Sequence, residues 1–303
     1  MITRLVHVGN AVVDVVLRVP SLPARGGDVL AENVTTTTGG AFNVMAAAAR
    51  LGLPVTYGGL HGTGRYGELV RADLAREGIA VVQPESPDGD TGFVVTHVEP
   101  DGERTFVTSP GVEATLDLDA LDRLDVTATD AVSVSGYSLA FDSNRAALED
   151  WLPNLPGGCT VVFDPGSLVP TLPSAAVTAV LERAGWITCN AAEARALTGR
   201  DDPREAAAAL RRRNAIVRLG ARGCLVARDG DVQLVPSVPV QAVDSTGAGD
   251  THTGAFVASL ADGLDPVAAA ARANAAAAYA VTRRGPATGP TSAQLSAFLA
   301  DQH

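Results

Sequence analysis

The sequence Val243-Asp244-Ser245-Thr246-Gly247-Ala248-Gly249-Asp250 leads from small, flexible residues directly into the apolar stretch at 251–260. This change in composition predicts that a helix begins close to Gly247. The first amides of that helix, those of Ala248, Gly249 and Asp250, have no partner within it. Free amides and the positive end of the helix dipole favour a bound anion such as a phosphate group. We therefore expect an anion-binding turn at the start of this helix.

Asp250 has two interpretations at this position. A carboxylate at the start of a helix is often a simple cap of the backbone amides. Beside an anion site, the same carboxylate can act as a general base that takes the proton of a hydroxyl group attacking a phosphoryl group. We expect the helix dipole to lower the pKa of Asp250 and to weaken it as a base. A loose phosphoryl-transfer transition state needs little early activation of the nucleophile, so this objection is mild.

Outside this turn, short apolar runs alternate with alanine-rich stretches of helical composition. This alternation predicts an α/β fold with a mostly parallel sheet covered by helices on both faces. The predicted strands are Leu5–Val8, Val132–Ser135, Thr160–Phe163, Trp186–Cys189 and Ala215–Leu219. The predicted helices are Asn43–Leu51, Gly67–Glu77, Ser174–Arg183, Ala191–Leu197 and Pro203–Arg213.

Two segments, Val12–Val34 and Gly92–Val107, depart from this alternation. Apolar and polar residues alternate along them, with turn residues at 24–27 and 100–102, which predicts β-hairpins outside the main sheet. We expect residues 12–38 and 92–108 to form a lid over a cleft within a single domain of residues 1–303. The exposed apolar face of such a lid favours a homodimer contact.

Composition excludes several classes of function. The chain of 303 residues has 34 acidic and 23 basic residues and a net charge of −11, which opposes binding to nucleic acids or anionic membranes. It contains no lysine, so a Walker A loop, a protein-kinase site, a Schiff-base aldolase and a pyridoxal phosphate enzyme are all excluded. Three widely spaced cysteines and no apolar stretch of membrane-spanning length indicate a soluble, cytoplasmic protein with reduced thiols.

The string Asp-x-Thr-Gly-Ala-Gly-Asp at 244–250 resembles the second signature of the ribokinase-like (PfkB-type) carbohydrate kinases. Gly9-Asn10-Ala11-Val12-Val13-Asp14 and Gly39-Gly40-Ala41-Phe42-Asn43 follow the family order, so the resemblance covers essentially the whole chain. It implies a ribokinase-like, doubly wound fold and an ATP- and Mg²⁺-dependent transfer of a phosphoryl group to a hydroxymethyl group of a sugar. It also implies that Asp250 is the base and that the backbone of Gly247, Ala248 and Gly249 forms the anion hole.

For the acceptor, the resemblance implies that Asp14 and Asn43 bind sugar hydroxyl groups, while Gly39 and Gly40 let the backbone approach the ligand. Relatives usually have three residues between the second glycine and the asparagine, whereas this chain has two. Either Thr38 replaces the first glycine or the loop is one residue shorter.

For the nucleotide, Asn190 and Glu193 match an Asn-x-x-Glu motif that organises Mg²⁺ and phosphate groups, although the same pair is an ordinary helix capping box. The resemblance implies that further residues line the ATP site: Arg218, Gly220, Gly223 and Asn274. It also implies a K⁺ site formed by the side chains of Asp244 and Thr246 with the backbone carbonyl groups of Ala280, Arg283, Gly285 and Gly289.

The acceptor stays open between three classes. An unphosphorylated sugar is favoured because relatives that bind sugar phosphates commonly have lysine in the Gly-Gly motif, where this chain has Ala41 and Phe42. Arg104 would suit the carboxylate of a keto-deoxy sugar acid if it is not a solvated hairpin charge. Phe42 and Tyr137 would suit the base of a nucleoside if they are not core residues.

Two other functions compete with a kinase. The string Gly62-Thr63-Gly64-Arg65-Tyr66-Gly67, with Glu85 about 20 residues beyond, matches the fingerprint of an NAD(P)-dependent oxidoreductase, but leaves the anion turn unexplained. A non-catalytic sugar sensor is disfavoured because Asp250 and the other motif residues are intact. His252 is interpreted as a packing residue, with substrate contact as the alternative.

Overall fold

A nine-stranded sheet forms the centre of the protein, as seen in a computed structural model that describes residues 1–210 and 214–301. Its strand order is β13-β12-β11-β10-β9-β8-β1-β4-β5. Neighbouring strands from β11 to β5 pair in parallel, whereas β11–β12 and β12–β13 pair antiparallel. The strands are β1 (Arg4–His7), β4 (Val55–Tyr57), β5 (Ala80–Val81), β8 (Asp130–Ser135), β9 (Thr160–Asp164), β10 (Trp186–Asn190), β11 (Asn214–Arg218), β12 (Cys224–Arg228) and β13 (Asp231–Val235).

Successive residues along each central strand join different apolar clusters, because side chains alternate between the two faces of a sheet. Leu5 lies in one cluster and Val6 in the other, and Trp186 and Ile187 divide in the same way. A sheet that is buried on both faces requires strands that are apolar throughout, which is why these strands appear in the sequence as uninterrupted apolar runs.

Ten α-helices are described. They are α1 (Ala41–Arg50), α2 (Arg65–Arg76), α3 (Leu118–Asp122), α4 (Asp142–Trp151), α5 (Ser174–Arg183), α6 (Ala191–Thr198), α7 (Pro203–Ala209), α8 (Ala248–Ala261), α9 (Pro266–Val281) and α10 (Ser292–Ala300). None of these helices combines the length and the apolarity needed to cross a membrane. The expected α/β architecture with a mostly parallel sheet is confirmed.

One predicted helix was too long. The prediction Pro203–Arg213 extends past the end of α7 at Ala209, although Leu210 keeps a helical backbone and its amide still donates to the carbonyl of Ala206. Positions 211–213 of that prediction lie outside the described residues.

A four-stranded second sheet stands apart from the central one, with the order β3-β2-β6-β7. It consists of β2 (Ala11–Arg18), β3 (Asn33–Gly40), β6 (Phe93–Val98) and β7 (Arg104–Ser109). The two antiparallel hairpins, β2–β3 and β6–β7, join through parallel pairing of β2 with β6. These hairpins correspond to the two segments singled out in the sequence.

The three cysteines, Cys159, Cys189 and Cys224, are buried and free. Burial raises the pKa of all three thiols, that of Cys224 to about 11. Two of them lie beside the predicted nucleotide residues, since Cys189 precedes Asn190 and Cys224 follows Gly223.

Helices α1 and α8 approach each other at Gly254, which lies in the middle of α8. A Cβ atom at this position would lie 2.3 Å from the carbonyl oxygen of Val44 and 2.9 Å from the Cβ of Ala47. The close contact therefore depends on the missing side chain. It matters for the site because the first turn of each helix carries a predicted site residue, Asn43 and Asp250.

We predict that Gly254→Ala destabilises the protein. Alanine improves helix propensity by about 1 kcal/mol over glycine, but separating two packed helices costs about 1–3 kcal/mol, so the net change lowers the free energy of unfolding. Urea denaturation measures it. Gly157→Ala is the matched control, because Gly157 is exposed and its Cβ would meet nothing within 4 Å. A Gly254→Ala protein as stable as the control would contradict the packing argument.

Candidate active site

The turn before α8 is shaped by Gly247, which caps the helix with a left-handed φ of 70°. A Cβ on Gly247 would lie 2.0 Å from the carbonyl oxygen of Pro286, so a larger residue does not fit. The Ala248 amide donates to the carbonyl of Ser245 at 3.3 Å, which corrects the expectation that it is free. Within 1–210 and 214–301, the amides of Gly249 and Asp250 have no protein acceptor and remain for an anion.

Asp250 lies on the first turn of α8, and its Oδ2 accepts a hydrogen bond from Asn43 Nδ2 at 2.9 Å. Burial raises the pKa of Asp250 to about 6, and the charge of Asp164 adds to this effect, while the Asn43 hydrogen bond and the charge of Arg218 oppose it. The expectation of a lowered pKa is therefore wrong, because desolvation outweighs the hydrogen bond from Asn43 and the charge of Arg218. A carboxylate with this pKa is still ionised at neutral pH and is a stronger base than an exposed aspartate.

Asp14, on β2, faces the same space as Asp250. Burial, together with the charge of Asp250, raises the pKa of Asp14 to about 6. The Asp14 carboxylate lies over Gly39, where a Cβ would come within 2.1 Å of Oδ2. Gly40, the next residue, caps α1 with a φ of 61° and would bring a Cβ within 2.4 Å of the carbonyl oxygen of Asn10. Gly40 is thus required by the backbone geometry, whereas a side chain at Gly39 would displace the Asp14 carboxylate.

Several buried polar side-chain atoms have no partner in the described structure. Asn43 Oδ1 is one of them and lies at the site, because the Nδ2 of the same amide binds Asp250. The others are the hydroxyl groups of Thr38 and Thr251 and the Nδ1 atoms of His97 and His252, and Thr38 pairs with Val13, on the sheet face opposite Asp14. Because buried polar groups are nearly always hydrogen-bonded, the free oxygen of Asn43 favours a ligand that brings its own hydroxyl group.

A second charged cluster lies at the ends of β9, α6 and β11. The Arg218 guanidinium contacts Asp164 Oδ2 at 3.2 Å and Glu193 Oε2 at 3.6 Å, and Nη1 donates to Thr253 Oγ1 at 3.1 Å. Burial alone would lower the pKa of Arg218, but the charges of Asp164 and Glu193 raise it overall. A Cβ on Gly249 would lie 3.4 Å from Arg218 Nε, so the guanidinium stands directly beside the anion turn.

Asp164 was not found by the sequence analysis. It follows the buried run Val161–Phe163 at the carboxyl end of a parallel strand, where ligand-binding residues of such sheets collect. That position was the only signal in the sequence, because Asp164 belongs to none of the recognisable motifs.

Asn190 and Glu193 form a complete capping box at the start of α6. The Glu193 amide donates to Asn190 Oδ1 at 2.9 Å, and the Asn190 amide donates to Glu193 Oε2 at 2.7 Å. In the described part of the chain, no group of three or more His, Cys, Asp or Glu side chains is arranged to hold a metal ion. The oxygens of Asn190 and Glu193 are of the kind that reach a hydrated Mg²⁺ ion through its waters.

The turn after β11 contains two left-handed glycines, Gly220 with φ 61° and Gly223 with φ 94°. Asn274 lies farther inside, and its place at the border of the nucleotide site stays a prediction. It is 4% exposed, its Nδ2 donates to the carbonyl groups of Val235 and Pro236, and its Oδ1 lies 3.2 Å from His252 Nε2. Its amide is occupied by protein partners, and burial lowers the pKa of His252 to about 3, which makes both residues part of the packing.

The predicted K⁺ site is centred on Asp244, whose carboxylate is already surrounded by protein donors. Oδ1 accepts from the amide of Thr246 at 2.9 Å, from its hydroxyl at 2.7 Å and from Arg104 Nη2 at 2.7 Å. Oδ2 accepts from the amide of Gly285 at 3.1 Å. Burial opposes ionisation of Asp244, but these hydrogen bonds and the Arg104 charge outweigh it and lower its pKa.

The carbonyl oxygens of Ala280 and Gly289, in the predicted K⁺ loop, also accept hydrogen bonds from protein donors. The Ala280 oxygen accepts from the Arg283 amide at 3.0 Å and from Thr288 Oγ1 at 3.1 Å. The Gly289 oxygen accepts from Arg50 Nη1 at 3.0 Å. Asp244, Ala280 and Gly289 therefore do not fit a bound K⁺ ion as they are arranged, because guanidinium, amide and hydroxyl donors hold their oxygens.

Three side chains considered for the acceptor are found in different surroundings. Phe42 is 3% exposed and belongs to the apolar core, so the proposed stacking on a base is wrong for this residue. Arg104 is paired with Asp244 and is neither a solvated charge nor a free cation. Tyr137 is 46% exposed and its hydroxyl lies 2.8 Å from Ser167 Oγ, which leaves its ring accessible.

The glycine motif at 62–67 does not form a dinucleotide site. The amides of Tyr66 and Gly67, at the start of α2, donate to the Asp90 carboxylate at 3.0 and 2.8 Å. A carboxylate of the protein therefore takes the place that a pyrophosphate would need. Glu85 pairs with Arg71 instead of standing ready for a ribose.

Known proteins resemble the chain over nearly its whole length. The model of the pfkB family of carbohydrate kinases matches residues 2–293. The uncharacterized sugar kinase YegV of Escherichia coli K12 is 33% identical over 95% of this chain and 91% of its own length. The ATP-dependent ribose-1-phosphate kinase of Halopiger xanaduensis is 29% identical over 99% of each chain.

A structure of an Escherichia coli protein solved with ATP and Mg²⁺ under the name Ribokinase II superposes with a TM-score of 0.82. It covers 99% of this chain and 100% of its own at 24% identity, which confirms the expected ribokinase-like fold.

We predict a pH-dependent effect of Asp250→Asn on stability. The folded protein holds the Asp250 proton more tightly, at a pKa of about 6, than the unfolded chain does near the ordinary value of 3.8. Wild-type stability therefore falls as pH rises through this window, and the variant lacks that loss. The unfolding free energy of the variant minus that of the wild type should therefore increase by on the order of 1–3 kcal/mol from pH 4 to pH 8.

Urea denaturation across this pH range measures the shift. Asp88→Asn is the control, because Asp88 is exposed and outside the site. A difference between Asp250→Asn and the wild type that stays constant with pH would show that Asp250 is not desolvated.

Proposed function

The chain belongs to the pfkB family of carbohydrate kinases, and on that basis we propose that it transfers the γ-phosphoryl group of Mg·ATP to a hydroxymethyl group of an unphosphorylated sugar. One observation carries the proposal. The Asp250 carboxylate, with a pKa near 6, lies next to two unoccupied helix amides and beside the unpartnered Oδ1 of Asn43, an acceptor that suits a ligand hydroxyl group.

The acceptor would bind between β2 and α1. Asp14 and Asn43 Oδ1 accept hydrogen bonds from hydroxyl groups of the sugar, and Gly39 and Gly40 leave room for it. Asp250 Oδ2 is occupied by Asn43 Nδ2, so Oδ1 is the atom that faces the reacting hydroxyl group and takes its proton. The oxygen of that hydroxyl then forms a bond to the γ-phosphorus while the bond to the ADP oxygen breaks.

The anion turn would stabilise the transferring phosphoryl group. The amides of Gly249 and Asp250 donate to its oxygens, and Gly247 allows the turn its left-handed shape. Arg218 lies beside this turn and adds a permanent positive charge, although Asp164 and Glu193 share it. Amide donors fixed before the reaction stabilise developing charge without having to reorganise.

The nucleotide would lie across the ends of β10 and β11. Asn190 and Glu193 meet the phosphate groups and the Mg²⁺ they carry, and the turn from Gly220 to Gly223 lines the nucleotide with backbone. The bound Mg²⁺ supplies charge neutralisation of the phosphate oxygens. The ATP and Mg²⁺ complex of the E. coli protein supports this assignment.

A free sugar remains the favoured acceptor class. The case for a sugar acid weakens, because Arg104 is committed to Asp244. A nucleoside is the second candidate, supported by the exposed ring of Tyr137 at the end of β8, where Gly166 lies against it.

We also propose a homodimer formed through the second sheet. Exposed apolar side chains gather on its edge strands, with Val34 at 55%, Phe106 at 60% and Val107 at 59% exposure. Exposed apolar side chains of this density on two edge strands favour association.

The acceptor is identified by measuring ADP release from Mg·ATP with free pentoses and hexoses, keto-deoxy sugar acids, sugar phosphates and nucleosides. We expect turnover with a free sugar. Asp250→Ala should lower kcat by at least about 10²-fold with ATP affinity nearly unchanged, because it removes the base but no nucleotide contact. Asp14→Asn should mainly raise the KM of the sugar.

Asp88→Asn is again the control and should match the wild type. Turnover confined to nucleosides or sugar phosphates would change the proposed acceptor class but would leave the proposed kinase function standing. An Asp250→Ala enzyme with more than about a tenth of the wild-type rate would overturn the role of Asp250 as base. Stabilisation by a sugar without any turnover would favour a sensor.

The dimer is tested by light scattering during size-exclusion chromatography. Phe106→Glu should convert a two-chain particle to a single chain, because it places a charge in the apolar contact. Leu234→Glu is the matched control, since Leu234 is 50% exposed on β13 at the edge of the central sheet. A wild-type protein that elutes as a monomer would refute the proposal.

A further inference from the structure

Arg104 connects the second sheet to the segment that precedes the anion turn. It lies on β7, 140 residues away from Asp244 in the chain, and its Nη2 donates to Asp244 Oδ1 at 2.7 Å. The side chains are 25% and 13% exposed, so the pair is largely shielded from water. Salt screens shielded ion pairs less than surface pairs. Removing one partner of a shielded pair destabilises the protein strongly, because it leaves the other charge unpaired.

Asp244 also fixes the residues that shape the turn. One of its oxygens binds the amide and the hydroxyl of Thr246, the residue before Gly247. The other binds the amide of Gly285, the residue before Pro286, whose carbonyl group packs against Gly247. A single carboxylate therefore holds both segments between which Gly247 is enclosed.

A buried carboxylate with four hydrogen bonds still needs a compensating positive charge. The resemblance to carbohydrate kinases implied K⁺ at this place, but protein donors bind the oxygens of Asp244, Ala280 and Gly289. Arg104 provides the charge at Asp244. At the far end of the same loop, Arg50 Nη1 donates to the carbonyl oxygens of Ala287 and Gly289 at 2.7 and 3.0 Å.

We propose that Arg104 is a positioning residue for phosphoryl transfer, whose guanidinium replaces a monovalent cation at Asp244 and makes the enzyme independent of K⁺. Because Arg104 is carried by the second sheet, the shape of the anion turn depends on where that sheet lies. The proposal rests on the proposed kinase function for its kinetic part, but its structural part can be measured without turnover.

Three variants test the proposal. Arg104→Gln removes the charge, Arg104→Lys keeps it, and Arg18→Gln is a matched control on β2 of the same sheet, where the described residues offer Arg18 no ion pair. In Arg104→Gln we expect kcat to fall about tenfold or more, with the KM of ATP changed less than about threefold. Arg104→Lys should recover most of the loss, and Arg18→Gln should match the wild type.

Hydrogen exchange of the amides at 244–250 provides a readout that is independent of activity. It should be faster in Arg104→Gln than in the wild type and unchanged in Arg18→Gln. The wild type should turn over equally in K⁺ and in a bulky organic cation. A wild type that requires K⁺, or an Arg104→Gln protein with wild-type kcat and exchange, would overturn the proposal. If no acceptor is turned over, the kinase assignment fails, and the exchange experiment alone decides on Arg104.

Discussion

The hydrogen bond from Asn43 to Asp250 joins the two halves of the site, and the packing of α1 against α8 makes that bond possible. Asn43 belongs to the first turn of α1 and Asp250 to the first turn of α8, so their separation is set by how closely the two helices approach. Gly254 sets that approach, because its missing side chain leaves room for the backbone at Val44. The geometry of the acceptor side and of the anion turn therefore depends on one interhelical contact.

Charge in the site is balanced locally and at some cost to stability. Asp14 and Asp250 face each other with raised pKa values, whereas Arg218 stands between Asp164 and Glu193. Two carboxylates that resist ionisation destabilise the folded protein at neutral pH, since the folded state holds their protons more tightly than the unfolded state. Natural sites retain such arrangements where a reaction needs a basic carboxylate in a dry environment. Substrate hydroxyl groups would relieve part of this cost by hydrogen bonding to both carboxylates.

Local patterns predicted the fold and the centre of the site. The glycine-rich string before Asp250 marked the start of α8, and apolar runs such as Thr160–Phe163 marked buried strands, because both signals depend only on neighbouring residues. Contacts between distant residues were not predictable in this way. Arg104 and Arg50 donate to oxygens that lie 140 and at least 237 residues away in the chain, and no spacing of residues in the sequence indicates these contacts. The pKa of Asp250 was misjudged for the same reason, since its burial is created by α1 and the charged cluster around Arg218.

The buried cysteines have a consequence for how opening of the nucleotide side can be followed. Only a thiolate reacts readily with oxidants and alkylating reagents, and burial holds Cys189 and Cys224 in the thiol form. Each cysteine lies next to a residue that we assign to nucleotide binding. Neither thiol should react while β10, β12 and the neighbouring turn keep it buried. Their alkylation rate then reports how often this side of the sheet opens, and a bound nucleotide that holds the turn in place would slow it. The chain thus carries two internal probes of its own local unfolding, with no label to be introduced.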